Sequence, residues 1–97
     1  MKELLAKLLE RKNLSREEAR EMILWIMSEE AVPTQAAALL ALFQAKGATT
    51  DEIVGAARAM RERSEKIQAP SDAIDTCSTG GNGISTFNIS TCAALIA

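Results

Sequence analysis

Three glycines fall within four positions at Gly80, Gly81 and Gly83, and short polar side chains crowd around them: Ser78, Thr79, Asn82, Ser85, Thr86, Asn88, Ser90 and Thr91. The segment reads as a strand, a glycine turn and a helix start in succession. Glycines let a backbone turn sharply and bring its N–H groups close to a ligand, and a helix start adds unpaired amides and the positive dipole end. That order of elements suits an anion, with phosphate the natural guest. It is not the nucleotide P-loop, since no lysine follows the glycines, and the glycine spacing is not that of the dinucleotide fingerprint. On residue chemistry alone, Ser90 reads first as a first-turn helix residue satisfying a free amide.

The stretch Asp75 to Thr91, D-T-C-S-T-G-G-N-G-I-S-T-F-N-I-S-T, resembles the D-x-x-G-T-G-G-D-G-x-x-T-F-N-I-S-T pattern of the anthranilate phosphoribosyltransferases of tryptophan biosynthesis. Upstream, V-P-T-Q-A-A-A-L-L-A-L-F-Q-A-K-G and E-I-V-G-A-A-R-A-M-R-E are similar to that family's N-terminal helical domain, so the resemblance runs from end to end. The resemblance implies transfer of a phosphoribosyl group from phosphoribosyl pyrophosphate to the amino group of anthranilate, with magnesium. It sets Ser78, Gly81, Asn82, Thr86, Asn88, Ile89, Ser90 and Thr91 against the donor and gives the Ser90 hydroxyl to the Mg2+ ion. A hard cation that shares its oxygen ligands with substrate phosphates fits one protein hydroxyl. No catalytic acid or base is expected among these residues.

Two positions depart from the family pattern: Ser78 stands where members carry glycine, and Asn82 where they carry aspartate. Serine before T-G-G is similar to the turn of the pyrimidine nucleoside phosphorylases, which makes nucleoside phosphorolysis the first alternative reaction. A non-enzymatic helical interaction module, with the glycine turn incidental, is a second. Ser78 narrows the room for an acceptor, and Asn82 removes a negative charge from the neighbourhood of a metal-bound pyrophosphate.

The elements upstream must position this turn. Leu4, Leu5, Leu8 and Leu9 give a first helix an apolar stripe, and Ser15-Arg16-Glu17-Glu18 is a capping box opening a second, with Ala19, Met22, Ile23, Ile26 and Met27 facing inward. Pro33 and Thr34 start a third that closes at Gly47 after Lys46. Thr50 is expected to cap a fourth that turns Ile53, Val54, Ala57 and Met60 inward and Arg58, Arg61, Glu62 and Glu65 outward. The third is apolar on every face from Ala36 to Phe43 and therefore needs cover all round. A second copy of the chain or a larger neighbouring domain would supply it, and in the resembled family this domain forms the homodimer contact. Trp25 is a further candidate contact anchor, or ordinary core.

From Ile67 to Ser71 periodicity is lost, and Ala73 to Ser78 then reads as one strand. The expected fold is mainly α: a helical domain of about four helices over 1–66, a linker over 67–72, and over 73–97 the first strand, glycine-rich loop and helix of an incomplete α/β domain. One strand cannot make a sheet, and the sequence is expected to be a fragment of a longer enzyme. After Lys66 there is no lysine or arginine, so cations for a pyrophosphate would come from elsewhere, and the fragment is expected to be inactive alone.

Net charge is −2 with no basic run, which argues against a nucleic-acid surface. No segment has the length of a signal peptide core or a membrane span, and the cytoplasm is the default location. Cys77 and Cys92 are too few for a disulfide framework, and with no histidine a zinc site lacks ligands; both thiols are expected to pack as small apolar groups.

Overall fold

A computed structural model of the chain describes residues 1–78, 80 and 87–97. Its helices are α1 (Lys2–Leu9), α2 (Arg16–Ile26), α3 (Pro33–Lys46), α4 (Thr50–Arg63) and α5 (Ile89–Ile96). The chain divides into two compact units, Met1–Glu65 and Lys66–Ala97.

In the first unit each helix boundary has a local chemical cause. Helix α1 ends where Arg11 takes a left-handed φ of 55°, and the amides of Arg11 and Lys12 return to the carbonyls of Leu8 and Lys7. That is the Schellman arrangement, with arginine at the position glycine usually fills. The predicted capping box opens α2: Glu18 N donates to Ser15 Oγ, and Ser15 N donates to the Glu18 carboxylate. Pro33 begins α3, and Gly47, at φ 84°, ends it. The fourth helix is capped by Thr49 rather than Thr50, because only Thr49 lies three residues before Glu52 and can exchange hydrogen bonds with it in a second capping box.

Helix α2 packs on α4, and α1 on α3. The core is a cluster of Leu4, Leu8, Leu14, Ala19, Met22 and Leu39, flanked by the half-buried Leu5, Ile23, Trp25, Ile26, Leu42 and Phe43. Leu9 and Met27, both expected to face inward, are 64% and 46% exposed, each at the C-terminal end of its helix. The larger departure is α4. Its buried face is Glu52, Gly55 and Ala59, whereas Ile53 is 56% and Met60 58% exposed. Small residues win that face because α2 approaches closely there, and larger side chains at the same positions would hold the two backbones apart.

The all-apolar stretch of α3 is covered on one side only. Leu39 is 1% exposed, while Ala37, Leu40 and Ala41 face outward. Trp25 is half-buried against the core and lines an open groove of about 650 Å3 with Leu24, Met27, Ser28, Glu29, Glu30 and Arg63. Among the described residues no helix is long and apolar enough to cross a membrane.

In the second unit, a turn closed by Ala73 N donating to Pro70 O precedes an irregular segment. Residues 73–78, read from the sequence as a strand, form no strand pairing, because a strand is held by the ladder of a neighbour and no strand occurs among the described residues. Cys77 and Cys92 are both exposed free thiols, contrary to the expectation that they pack. Helix α5 has no buried residue, so the unit offers neither thiol an interior.

Candidate functional site

The turn region is organised by short side chains bonding to nearby amides. Asp75 Oδ1 accepts from Cys77 N at 2.8 Å, and Ser78 Oγ accepts from Gly80 N at 3.2 Å. These bonds satisfy in place amides that lack a strand partner. Gly80 has φ 75°, a left-handed conformation that glycine adopts without a Cβ penalty, and a Cβ there would meet nothing within 4 Å.

Helix α5 follows, capped by Asn88, whose Oδ1 accepts from Thr91 N at 3.0 Å. Cys92 N donates back to Asn88 O at 3.2 Å, so the amides of Ile89 and Ser90 precede the first intrahelical bond and belong to the unpaired helix start. The cap that sequence chemistry allowed to Ser90 is made by Asn88 instead. Ser90 is half-buried, and its hydroxyl has no partner among the described residues. Ile89 is 58% exposed, and Thr91 is exposed one position further along the same turn.

Of the residues assigned to the donor, Asn88, Ile89, Ser90 and Thr91 thus form the cap and first turn of one helix. Ser78 lies at the entry to the glycine turn, with its hydroxyl already accepting from Gly80 N. Gly81, Asn82 and Thr86 lie outside the described residues. A separate depression of about 310 Å3 is lined by Asp72, Ile74, Thr76, Ala94 and Ala97, and none of the assigned residues borders it.

The local electrostatics come from the backbone. The charged side chains after Lys66 are Asp72 and Asp75, both negative, so any attraction for an anion rests on the amides and the dipole of α5. Among the described residues no three His, Cys, Asp or Glu side chains gather to hold a metal. One oxygen available at the helix start is the Ser90 hydroxyl, a hard ligand that suits magnesium sharing the phosphate oxygens of a substrate rather than magnesium in an all-protein cage.

Among the described residues the most fully buried polar arrangement lies elsewhere, and the sequence reading did not single it out. Glu52 is fully buried and accepts from Leu14 N at 2.6 Å, Thr49 N at 2.7 Å and Lys46 Nζ at 2.8 Å. Burial pushes its carboxyl up, and the three donors, Lys46 foremost, overcome this and hold it at about 2. Lys46 also donates to Asn13 Oδ1 and Gly47 O, so the node ties the α1–α2 and α3–α4 connections together. The available signal was Thr49 three residues before Glu52, which marks a capping box but not its burial.

Residues 2–64 match the helical bundle domain of the glycosyl transferase family, and residues 70–97 match its a/b domain. Among curated proteins, the chain is 49% identical over 99% of its length to an anthranilate phosphoribosyltransferase of Bacillus caldotenax, of which it covers 40%. It is equally 49% identical over 99% of its length to proteins of the same name from Geobacillus kaustophilus and Rhizobium rhizogenes, covering 28% of each. The chain therefore spans well under half the length of these relatives. No solved structure matches it. With one family domain matched over α1 to α4 and the second over the turn and α5, this chain belongs to the glycosyl transferase family.

Proposed function

We propose that this chain supplies the helical domain and the donor-binding turn of an enzyme that transfers a phosphoribosyl group from phosphoribosyl pyrophosphate to anthranilate. The observation that carries the proposal is 49% identity over 99% of the chain to proteins of that name. In this reading the glycine turn and the first turn of α5 bind the donor through backbone amides, with Ser78, Gly81, Asn82, Thr86, Asn88, Ile89 and Thr91 around it. The Ser90 hydroxyl, left free by the Asn88 cap, is the ligand toward magnesium. Magnesium, when bound, supplies positive charge that stabilises the departing pyrophosphate.

The amino nitrogen of anthranilate attacks the anomeric carbon of the ribose, the bond from that carbon to the pyrophosphate oxygen breaks, and the nitrogen loses a proton. The turn and helix start hold the donor in place and offer dipoles to the charge that develops on the leaving group. The helical unit would associate as a homodimer through the outward side of α3, where Ala37, Leu40 and Ala41 are exposed, and the enzyme would act in the cytoplasm.

The test is loss of anthranilate fluorescence with phosphoribosyl pyrophosphate and magnesium, using a full-length protein that contains this sequence. Transfer to anthranilate with no phosphorolysis of pyrimidine nucleosides supports the proposal; the opposite pattern assigns the alternative that Ser78 suggests. The 97-residue chain by itself should give no turnover, since it carries no lysine or arginine after Lys66.

A further inference from the structure

We infer that Ser78 is a positioning residue that pre-forms the glycine turn before an anion arrives, an inference that rests on the donor-binding reading of that turn. The Ser78 hydroxyl accepts from Gly80 N at 3.2 Å, closing a small side-chain turn over the entry to the glycine run. Asp75 does the same one step earlier, its Oδ1 accepting from Cys77 N at 2.8 Å. Two successive local bonds thus brace the chain from Asp75 to Gly80.

Gly80 is where such a brace has something to decide. Its φ of 75° lies in the left-handed region, which glycine enters and leaves freely because it has no Cβ. Packing does not make the choice, since Gly80 is exposed and a Cβ built there would meet nothing within 4 Å. Among the described residues, the bond to Ser78 is what fixes the Gly80 amide. A ligand that needs the turn closed binds more weakly in proportion to the time the turn spends open. A bond that keeps it closed therefore raises affinity without touching the ligand. While that bond stands the Gly80 amide is taken, and the anion is left to amides further along, including those of Ile89 and Ser90 at the start of α5. The D-x-x-G-T-G-G-D-G pattern shares Asp75 with this chain but carries glycine at position 78, which has no side chain to make the second brace.

The first measurement is exchange of the Gly80 amide with water, read by NMR in the ligand-free 97-residue chain. Ser78→Ala should accelerate it by about three- to tenfold, and Ser78→Thr should restore the protection. The second is affinity for phosphoribosyl pyrophosphate in a full-length protein that contains this sequence. There Ser78→Ala should weaken binding by about three- to tenfold and raise the donor KM more than it lowers kcat, with Ser78→Thr recovering both. A Gly80 amide that exchanges no faster in Ser78→Ala than in the unsubstituted chain would overturn the inference, as would lost protection that leaves donor affinity unchanged. Ser78→Thr that restores the amide but not the affinity would also refute it, by placing the serine directly against the donor. Should the unsubstituted full-length protein bind the donor without transfer to anthranilate, the proposed reaction falls by itself and the donor affinities still judge the brace. If it binds no donor, both fall.

Discussion

Gly55 of α4 lies directly against Arg16 at the start of α2: a Cβ built on Gly55 would stand 2.1 Å from the Arg16 carbonyl oxygen and 3.1 Å from the Ala19 Cβ. The first obstacle is backbone, which no rotamer change can move aside. Gly55→Ala must therefore push α4 off α2, and the overpacking cost, roughly 1 to 3 kcal/mol or more, outweighs the gain of about 1 kcal/mol in helix propensity. Urea denaturation followed by circular dichroism should show net destabilisation; a midpoint at or above that of the unsubstituted chain would contradict the close approach.

Glu52 gives stability a defined dependence on acid. Its folded value of about 2 lies below the ordinary 4.5, so its contribution is fully present above pH 4.5 and is lost as pH falls from there toward 2. The difference corresponds to about 3 kcal/mol. Glu18, held low by Lys7, and Glu62, held low by Arg20, act in the same direction. Thermal midpoints of the unsubstituted chain and of Glu52→Gln should differ most near neutrality and converge below pH 3. A constant gap between the two across that window would remove Glu52 as the titrating group.

The outward side of α3 lets the proposed association be tested apart from folding. Leu42 is half-buried against the core, whereas Leu40 is 45% exposed. Leu40→Lys should abolish self-association in sedimentation and leave helicity and melting nearly unchanged, within about 0.5 kcal/mol. Leu42→Lys should lower stability by several-fold more, since it carries a charge toward the apolar cluster. A chain that sediments as a monomer at high micromolar concentration before any substitution would dispose of the dimer.

At the candidate site, helix capping and ligand binding can be pulled apart at Asn88. Asn88→Ala removes the acceptor for Thr91 N, and losing such a cap costs about 1 kcal/mol, enough to fray an eight-residue helix. Cα chemical shifts of Ile89 to Ile96 should move toward random coil. Asn88→Asp keeps the cap and hence those shifts, but sets a negative charge where the donor's phosphates would dock. In the full-length protein, donor affinity should fall at least tenfold with α5 intact, and unchanged affinity would move the phosphates away from this helix start.

What the sequence determined by itself was local. The capping box at Ser15 and Glu18, the start of α3 at Pro33 and its end at Gly47 depend on residues within one turn of each other, and all appear where the spacing predicts. The D-T-C-S-T-G-G-N-G run likewise declared its family through residue identity and order, without reference to any distant contact. Tertiary structure decided which face of α4 is buried. Ile53, Val54, Ala57 and Met60 share a stripe that periodicity sends inward, yet the close fit of Gly55 to the Arg16 carbonyl turns α4 so that Glu52, Gly55 and Ala59 face α2. Burial of Glu52 was equally illegible, because its cost is offset by Leu14 N, 38 positions away, together with Lys46. The segment 73–78 shows the same limit from the other side: its residue types suit a strand, but a strand exists only where a neighbour completes its hydrogen bonds.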